Sequence, residues 1–207
     1  MNFLQEILRM FSIKRLAIWL GLFLISFLLR GPLFRFLTTY KAEKRYFLEY
    51  KMEDVKLIKF IMEHSEIYDR DLQDISQVAL IAEKITADAL SFEKESTIVN
   101  TNLVFNSGGA TNDAGYSTFY TTVCDYLIDY YGLKKRYDCR HLVGSCFFMK
   151  TNLTTFRTLR GGRPFPPEFH FNIVLDLKTG ETFALDPSLY DAYGISTVTS
   201  NYMVSNR

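Results

Sequence analysis

A serine, a histidine and an aspartate of this chain have side chains that could take part in acid–base and nucleophilic chemistry. His170 and Asp186 lie sixteen positions apart across a predicted turn, and Ser117 stands near the start of a predicted helix. An imidazole can take a proton from a hydroxyl or thiol, and a carboxylate can fix the tautomer of that imidazole. Such a set supports nucleophilic attack on a carbonyl through an acyl-enzyme.

Two elements must position these residues. The stretch NDAGYSTFYTTVCDYLIDYYG (112–132) predicts a helix, because an Asn-Asp pair can cap its start and Gly132 can end it. The stretch FHFNIVLDLKTGETFALDPS (169–188) alternates apolar and polar residues around a Lys-Thr-Gly turn, which predicts a β-hairpin. We expect the hairpin to place His170 beside Asp186 on adjacent strands.

Together these stretches resemble the core of the transglutaminase-like superfamily, which has a papain-like Cys-His-Asp arrangement. Its members often show Gly-x-Cys at the start of a helix, a His-containing strand, and a partner strand that closes in Asp-Pro-Thr. Here Gly-Tyr-Ser ends at Ser117, His170 lies on the strand, and Leu-Asp-Pro-Ser contains Asp186. The resemblance covers about residues 72–190. It implies an α+β, papain-like fold, with helices packed on an antiparallel sheet and these three residues as its catalytic site.

Position 117 separates this chain from a thiol enzyme. A cysteine at a helix N-terminus is held as a thiolate by the helix dipole and by a nearby imidazolium, whereas a serine must lose its proton during attack. Three explanations are open: a natural pseudoenzyme, an enzyme whose native cysteine was replaced by serine, and a serine that works as the nucleophile. The first predicts an interaction or structural module in a membrane assembly. The second predicts a thiol-type peptidase, amidase or acyltransferase that uses position 117, His170 and Asp186.

The other reactive side chains are expected to be structural. Cys124 lies two helical turns beyond Ser117 and is predicted to be a buried thiol, as are Cys139 and Cys146. His141 is predicted to lie on a strand surface. No CxxC spacing occurs, so neither a metal nor a cofactor is expected. The net charge of +1, without a basic stripe, gives no indication of a nucleic-acid partner.

The N-terminal region predicts a membrane segment. No charge interrupts Leu16 to Leu29, and apolar residues resume from Leu33 to Leu37. Residues 16–37 are therefore expected to form an uncleaved, single-pass anchor. A cleaved signal peptide is the rival interpretation, but Arg-Gly-Pro at 30–32 is a poor cleavage site. Basic residues flank both sides, so the side of the membrane that holds the rest of the chain stays open.

These patterns divide the chain into three parts: an anchor at 1–38, an amphipathic helical stalk at 39–70, and a transglutaminase-like domain at 71–207. The stalk is expected to be one long helix over 39–68, because its apolar residues recur near helical spacing. Two further helices are predicted over 71–92 and within 91–105, and one or two strands over 134–150. A protein partner is expected at the membrane.

Overall fold

The protein is a mixed α+β structure in which helices pack on a mainly antiparallel sheet, and this confirms the predicted class. The computed structural model describes residues 13–46, 52–68, 75–152, 168–193 and 202–204. The helices are α1 (Ile13–Leu28), α2 (Arg30–Leu37), α3 (Val55–Tyr68), α4 (Ile75–Ala89), α5 (Thr101–Asn106), α6 (Asp113–Tyr130) and α7 (Pro187–Tyr193). The strands are β1 (Thr38–Arg45), β2 (Ser91–Phe92), β3 (Ala110–Thr111), β4 (Tyr137–Phe148), β5 (Thr151–Asn152), β6 (Phe169–Asp176), β7 (Thr182–Leu185) and β8 (Tyr202–Val204).

The main sheet has the strand order β7-β6-β4-β1-β8, and β5 extends the end of β4 as a short hairpin. Every pairing along it is antiparallel except that of β8 with β1. The predicted hairpin is confirmed as β6 and β7, and the strand predicted over 134–150 is confirmed as β4. A separate parallel pair, β2 with β3, lies ahead of α6.

Helix α6 lies in the core and matches the predicted helix closely. The Asn112 side chain caps it by accepting from the Gly115 N–H at 3.0 Å, and Gly132 follows its end with φ 69°. Thirteen of its eighteen residues are buried. The helix packs against α4 on one side and against β4 and β6 on the other. Its N-terminal turns, which carry Ser117, are therefore enclosed by the sheet.

The long helix predicted over 39–68 is wrong in its first part, because Thr38–Arg45 is strand β1. Tyr40 and Ala42 are buried while Lys41 and Glu43 are exposed, which is the period of two that a strand requires. The later part is confirmed as α3, whose Leu57 and Ile61 are fully buried in the core. The residues assigned to a stalk thus supply a strand and a helix to the folded core.

The other predicted helices are partly confirmed. The helix predicted over 71–92 is α4, and the aspartates proposed as its caps lie outside the described residues. The helix predicted within 91–105 is wrong over Ser91–Phe92, which forms β2, and right only over α5. Asn100 caps α5 by accepting from the Leu103 N–H at 3.1 Å. The Asn100 cap therefore marks where this helix begins better than the spacing of its apolar residues does.

Helices α1 and α2 present apolar side chains to the outside. Large apolar residues between Ile18 and Phe36 are exposed on several sides of the two helices. Backbone hydrogen bonds from Leu29 N to Ile25 O and from Leu33 N to Leu29 O run across the junction. Pro32 has no N–H to donate to the previous turn, which explains the break there. Among the described residues, none of the helices has both the length and the hydropathy to cross a membrane.

Gly115 stands where no larger residue fits. A Cβ at this position would overlap the side chain of Thr111, whose hydroxyl donates to Ile98 O at 2.6 Å. We expect Gly115→Ala to lower the free energy of unfolding by roughly 2–3 kcal/mol, as overpacking does in a closed site. Urea denaturation measures the change.

Gly132→Ala is the matched control. Its Cβ would meet no atom within 4 Å, so only the φ of 69° opposes it, at a cost of about 1 kcal/mol. Equal losses for the two variants would contradict the close approach of β3 to α6.

Candidate functional site

The strand β6 holds the beginning of α6 through one amide side chain. Asn172 Nδ2 donates to Ser117 O at 2.9 Å and to Thr121 Oγ1 at 2.6 Å. Thr121 Oγ1 in turn donates to Ser117 O at 2.9 Å. Because a carbonyl oxygen only accepts, the amide must present its nitrogen here, which fixes its orientation. Asn172 is thus a fully buried polar clamp between β6 and α6.

Ser117 is buried beside this clamp, and its hydroxyl is unsatisfied. The residue is 1% exposed, and its Oγ has no hydrogen-bond partner. The expected hydrogen bond from Ser117 to the His170 ring is therefore absent, which corrects the first contact of the predicted triad. The Oδ1 atom of Asn172 is likewise buried without a partner.

His170 instead pairs with a second histidine. His141 Nε2 lies 2.8 Å from His170 Nδ1, and His141 Nδ1 lies 3.4 Å from Thr118 Oγ1. One of the two facing ring nitrogens must donate and the other accept, so both rings can be neutral but cannot both be protonated at that contact. The Tyr46 ring packs on them, with its centroid 4.6 Å from that of His141 and 5.4 Å from that of His170.

Burial makes both imidazoles poor bases. It lowers the pKa of His141 to about 3, with a further contribution from His170. Burial also lowers the pKa of His170, against the opposing effect of the Asp113 carboxylate. The thiolate–imidazolium pair of a cysteine enzyme needs a charged ring, and this environment disfavours that charge.

Asp113, in the first turn of α6, is the acid whose charge does most to raise the pKa of His170. Burial raises the pKa of its carboxyl, while the charge of a protonated His170 and nearby backbone N–H groups lower it. Its Oδ2 is buried without a hydrogen-bond partner. Asp113 therefore interacts electrostatically with the His170 ring. The predicted triad assigned this role of acidic partner to Asp186.

Asp186 does not orient His170. Its Oδ1 accepts from Ser188 N at 2.9 Å, from Ser188 Oγ at 2.6 Å and from Leu189 N at 3.3 Å, so it caps the start of α7. Leu185 pairs with Asn172, which puts Asp186 one residue out of register with His170 and on the opposite face of the sheet. The predicted side-by-side pairing of His170 and Asp186 is wrong for that reason. Burial raises the pKa of Asp186 to about 6.

The sequence interpretation missed His141, which is 1% exposed and not on a strand surface. The alternation of β4 contained the signal, because Cys139 and His141 share the face that packs on α6. Asp113 was considered only as a helix cap, and its nearness to His170 depends on the packing of α6 against β6. The three cysteines are confirmed as buried free thiols.

No family model, curated protein or solved structure matches this chain. Within the part of the chain that the structure describes, no group of three or more histidine, cysteine, aspartate and glutamate side chains could hold a metal ion. The site is therefore characterised by its own geometry: two hydrogen-bonded histidines, one acid, and a serine whose hydroxyl has no hydrogen-bond partner.

The buried histidine pair predicts an acid-dependent loss of stability. The folded protein keeps His141 neutral, whereas the unfolded chain binds a proton below its ordinary pKa of 6.5. Relative to His141→Gln, we expect the wild type to lose up to about 1.4 kcal/mol for each pH unit below that value. Urea unfolding of both proteins between about pH 7.5 and pH 4.5 measures this difference.

Asp186→Asn is a control in which the pH dependence of stability has the opposite sign. The folded protein holds a proton on Asp186 up to about pH 6 and the unfolded chain only to its ordinary 3.8, so the wild type loses stability as the pH rises between them. The asparagine keeps the acceptor for Ser188 but removes this loss, so its stability relative to wild type should increase with pH. Parallel profiles for the wild type and both variants would contradict the burial of these groups.

Proposed function

We propose that this chain is a membrane-anchored, transglutaminase-like domain that has lost catalysis and serves as an interaction or structural module, holding a protein partner at the membrane. The observation that carries the proposal is the state of Ser117. Its hydroxyl lacks a hydrogen-bond partner, while His170 pairs with His141 and Asp186 caps α7. Among the described residues, no base is hydrogen-bonded to this hydroxyl to take its proton, and a serine nucleophile requires one.

The resemblance is supported by the way the elements assemble. The Gly-Tyr-Ser sequence lies in the first turns of a long buried helix, and that helix packs on the strand that carries His170. Close packing at Gly115 accounts for the glycine of the motif. These features favour a papain-like arrangement, in which a central helix lies against an antiparallel sheet.

Membrane anchoring is supported by the exposed apolar surface of α1 and α2. The 16 residues of α1 alone are about 24 Å long, shorter than the roughly 30 Å of a bilayer core. Backbone hydrogen bonds on either side of Leu29 join α1 to the 8 residues of α2. The two helices would then act as one kinked segment over the predicted anchor at 16–37, apolar except for Arg30 and Arg35. An arginine side chain is long enough to bring its charge to the headgroups from such a segment.

A thiol enzyme with a native cysteine at position 117 is the second candidate, and one observation favours it. A buried hydroxyl without a partner costs roughly 1–3 kcal/mol, whereas a thiol is a weak hydrogen-bonding group that tolerates such a site. Position 117 is therefore better suited to the side chain that serine would have replaced. In that case the domain would be a peptidase, amidase or acyltransferase with an unassigned substrate.

Ser117→Cys distinguishes the two candidates. For a degenerate domain we expect the new thiol to react with iodoacetamide as slowly as the buried Cys124, because no imidazolium stabilises its thiolate. Labelling followed by mass spectrometry of the peptides gives both rates in one sample. Alkylation of Cys at 117 that is at least tenfold faster, and that is lost in Ser117→Cys/His170→Asn, would overturn the proposal and support the thiol enzyme.

Charged substitutions test the anchor. Leu22→Arg with Leu24→Arg should release the full chain from carbonate-washed membranes, because each charge costs about 3 kcal/mol near the middle of an apolar helix. The matched control is Phe92→Arg with Leu103→Arg, which changes two exposed apolar residues outside α1 and α2. Equal retention of both double variants would contradict the anchor.

A further inference from the structure

The turn between β4 and β5 lies beside the end of α2. Met149 N donates to Leu37 O at 2.9 Å, and Phe148 pairs with Thr38, the first residue of β1. Strand β1 begins at the residue after α2 ends, so no linker separates the apolar helices from the sheet. The position of α2 therefore also determines the position of this turn.

The turn presents an apolar side chain next to a charged one. Met149 and Lys150 are the two residues between Phe148 and Thr151, and both have positive φ, 49° and 70°. Positive φ at both central positions gives a tight hairpin turn that favours glycine or asparagine, so methionine and lysine are unusual there. Met149 is 64% exposed and Lys150 is exposed as well.

An apolar strip continues from the helices onto this turn. Leu29, Leu33 and Phe36 recur at helical spacing and are all exposed, Phe36 by 81%. The backbone contact between Leu37 and Met149 places the turn at the end of that strip. A methionine flanked by a lysine suits the boundary between acyl chains and headgroups, where the apolar group is buried and the ammonium reaches the phosphates.

We propose that the β4–β5 turn is a second membrane contact, with Met149 inserted at the bilayer interface and Lys150 among the headgroups. This inference rests on the proposed anchoring by α1 and α2. The occupant of the surface is the lipid bilayer itself, because the strip is continuous with the apolar helices and ends in a cation.

The contact sets the height of the candidate site. His170 pairs with Val143, five residues along β4 from Phe148, and His141 lies two residues further. At about 3.3 Å per residue, the histidine pair is roughly 17–23 Å along the strand from the membrane end. With β4 running along the membrane normal, a partner that reaches the start of α6 would bind above the headgroups and not within the bilayer.

A fluorescent probe at the turn tests the contact in the full chain. Met149→Cys is labelled with a nitrobenzoxadiazole maleimide. The three native cysteines are buried, so the reagent labels the new cysteine. The labelled protein is then reconstituted into phosphatidylcholine–phosphatidylglycerol vesicles. The control is Leu177→Cys, an exposed apolar residue in the β6–β7 turn at the opposite end of the sheet. We expect a blue-shifted emission at position 149 and severalfold stronger quenching by doxyl-labelled lipids than at position 177.

Each outcome separates this inference from the anchoring. Retention on carbonate-washed vesicles with equal quenching at the two positions, whether weak or strong, would overturn the second contact while leaving the anchor in place. Loss of the protein from the vesicles would overturn the anchor and this inference with it. Stronger quenching at position 149 in retained protein supports both.

Discussion

The burial of α6 between α4 and the sheet is the constraint on which the rest of the structure depends. Its first three turns carry several hydroxyl side chains, and buried polar groups cost free energy unless they are paired. The hydroxyls of Thr121 and Thr122 donate to carbonyl oxygens one turn earlier in the same helix. The Thr122 hydroxyl also lies 2.9 Å from the Thr101 hydroxyl. Asn172 then ties the helix to β6. A polar helix can occupy the core because its buried hydroxyls, apart from that of Ser117, are hydrogen-bonded.

Three buried side-chain atoms without hydrogen-bond partners lie together at the start of α6. Ser117 Oγ, Asn172 Oδ1 and Asp113 Oδ2 are all buried without a hydrogen-bond partner, and all lie around the start of α6. Native structures contain few such groups, so a cluster of them needs an explanation. Under the proposal that the domain has lost catalysis, a hydroxyl in the place of a thiol would account for the unpaired atom on Ser117.

The histidine pair shows why geometry alone does not make a triad. A base must be able to gain a proton, and burial disfavours the charged ring at both His141 and His170. The Asp113 carboxylate opposes this effect but is itself desolvated. Meanwhile Asp186, the acid that the hairpin motif indicated, stabilises the start of α7. Both rings therefore belong to a buried hydrogen-bonded network in which the charged form of imidazole is disfavoured.

Local signals in the sequence determined the α+β class, helix α6 with its cap at Asn112, and the β6–β7 hairpin, because each follows from residues close together in the chain. The partners of His170 depended on the tertiary structure. A one-residue shift in strand register moves Asp186 to the other face, and the pairing of β4 with β6 brings His141 to His170. Strand β1 could not be predicted from its local sequence either, because this charge-rich segment is a strand through its pairing with β4 and β8. Contacts between distant segments decided the site, and no local periodicity encodes them.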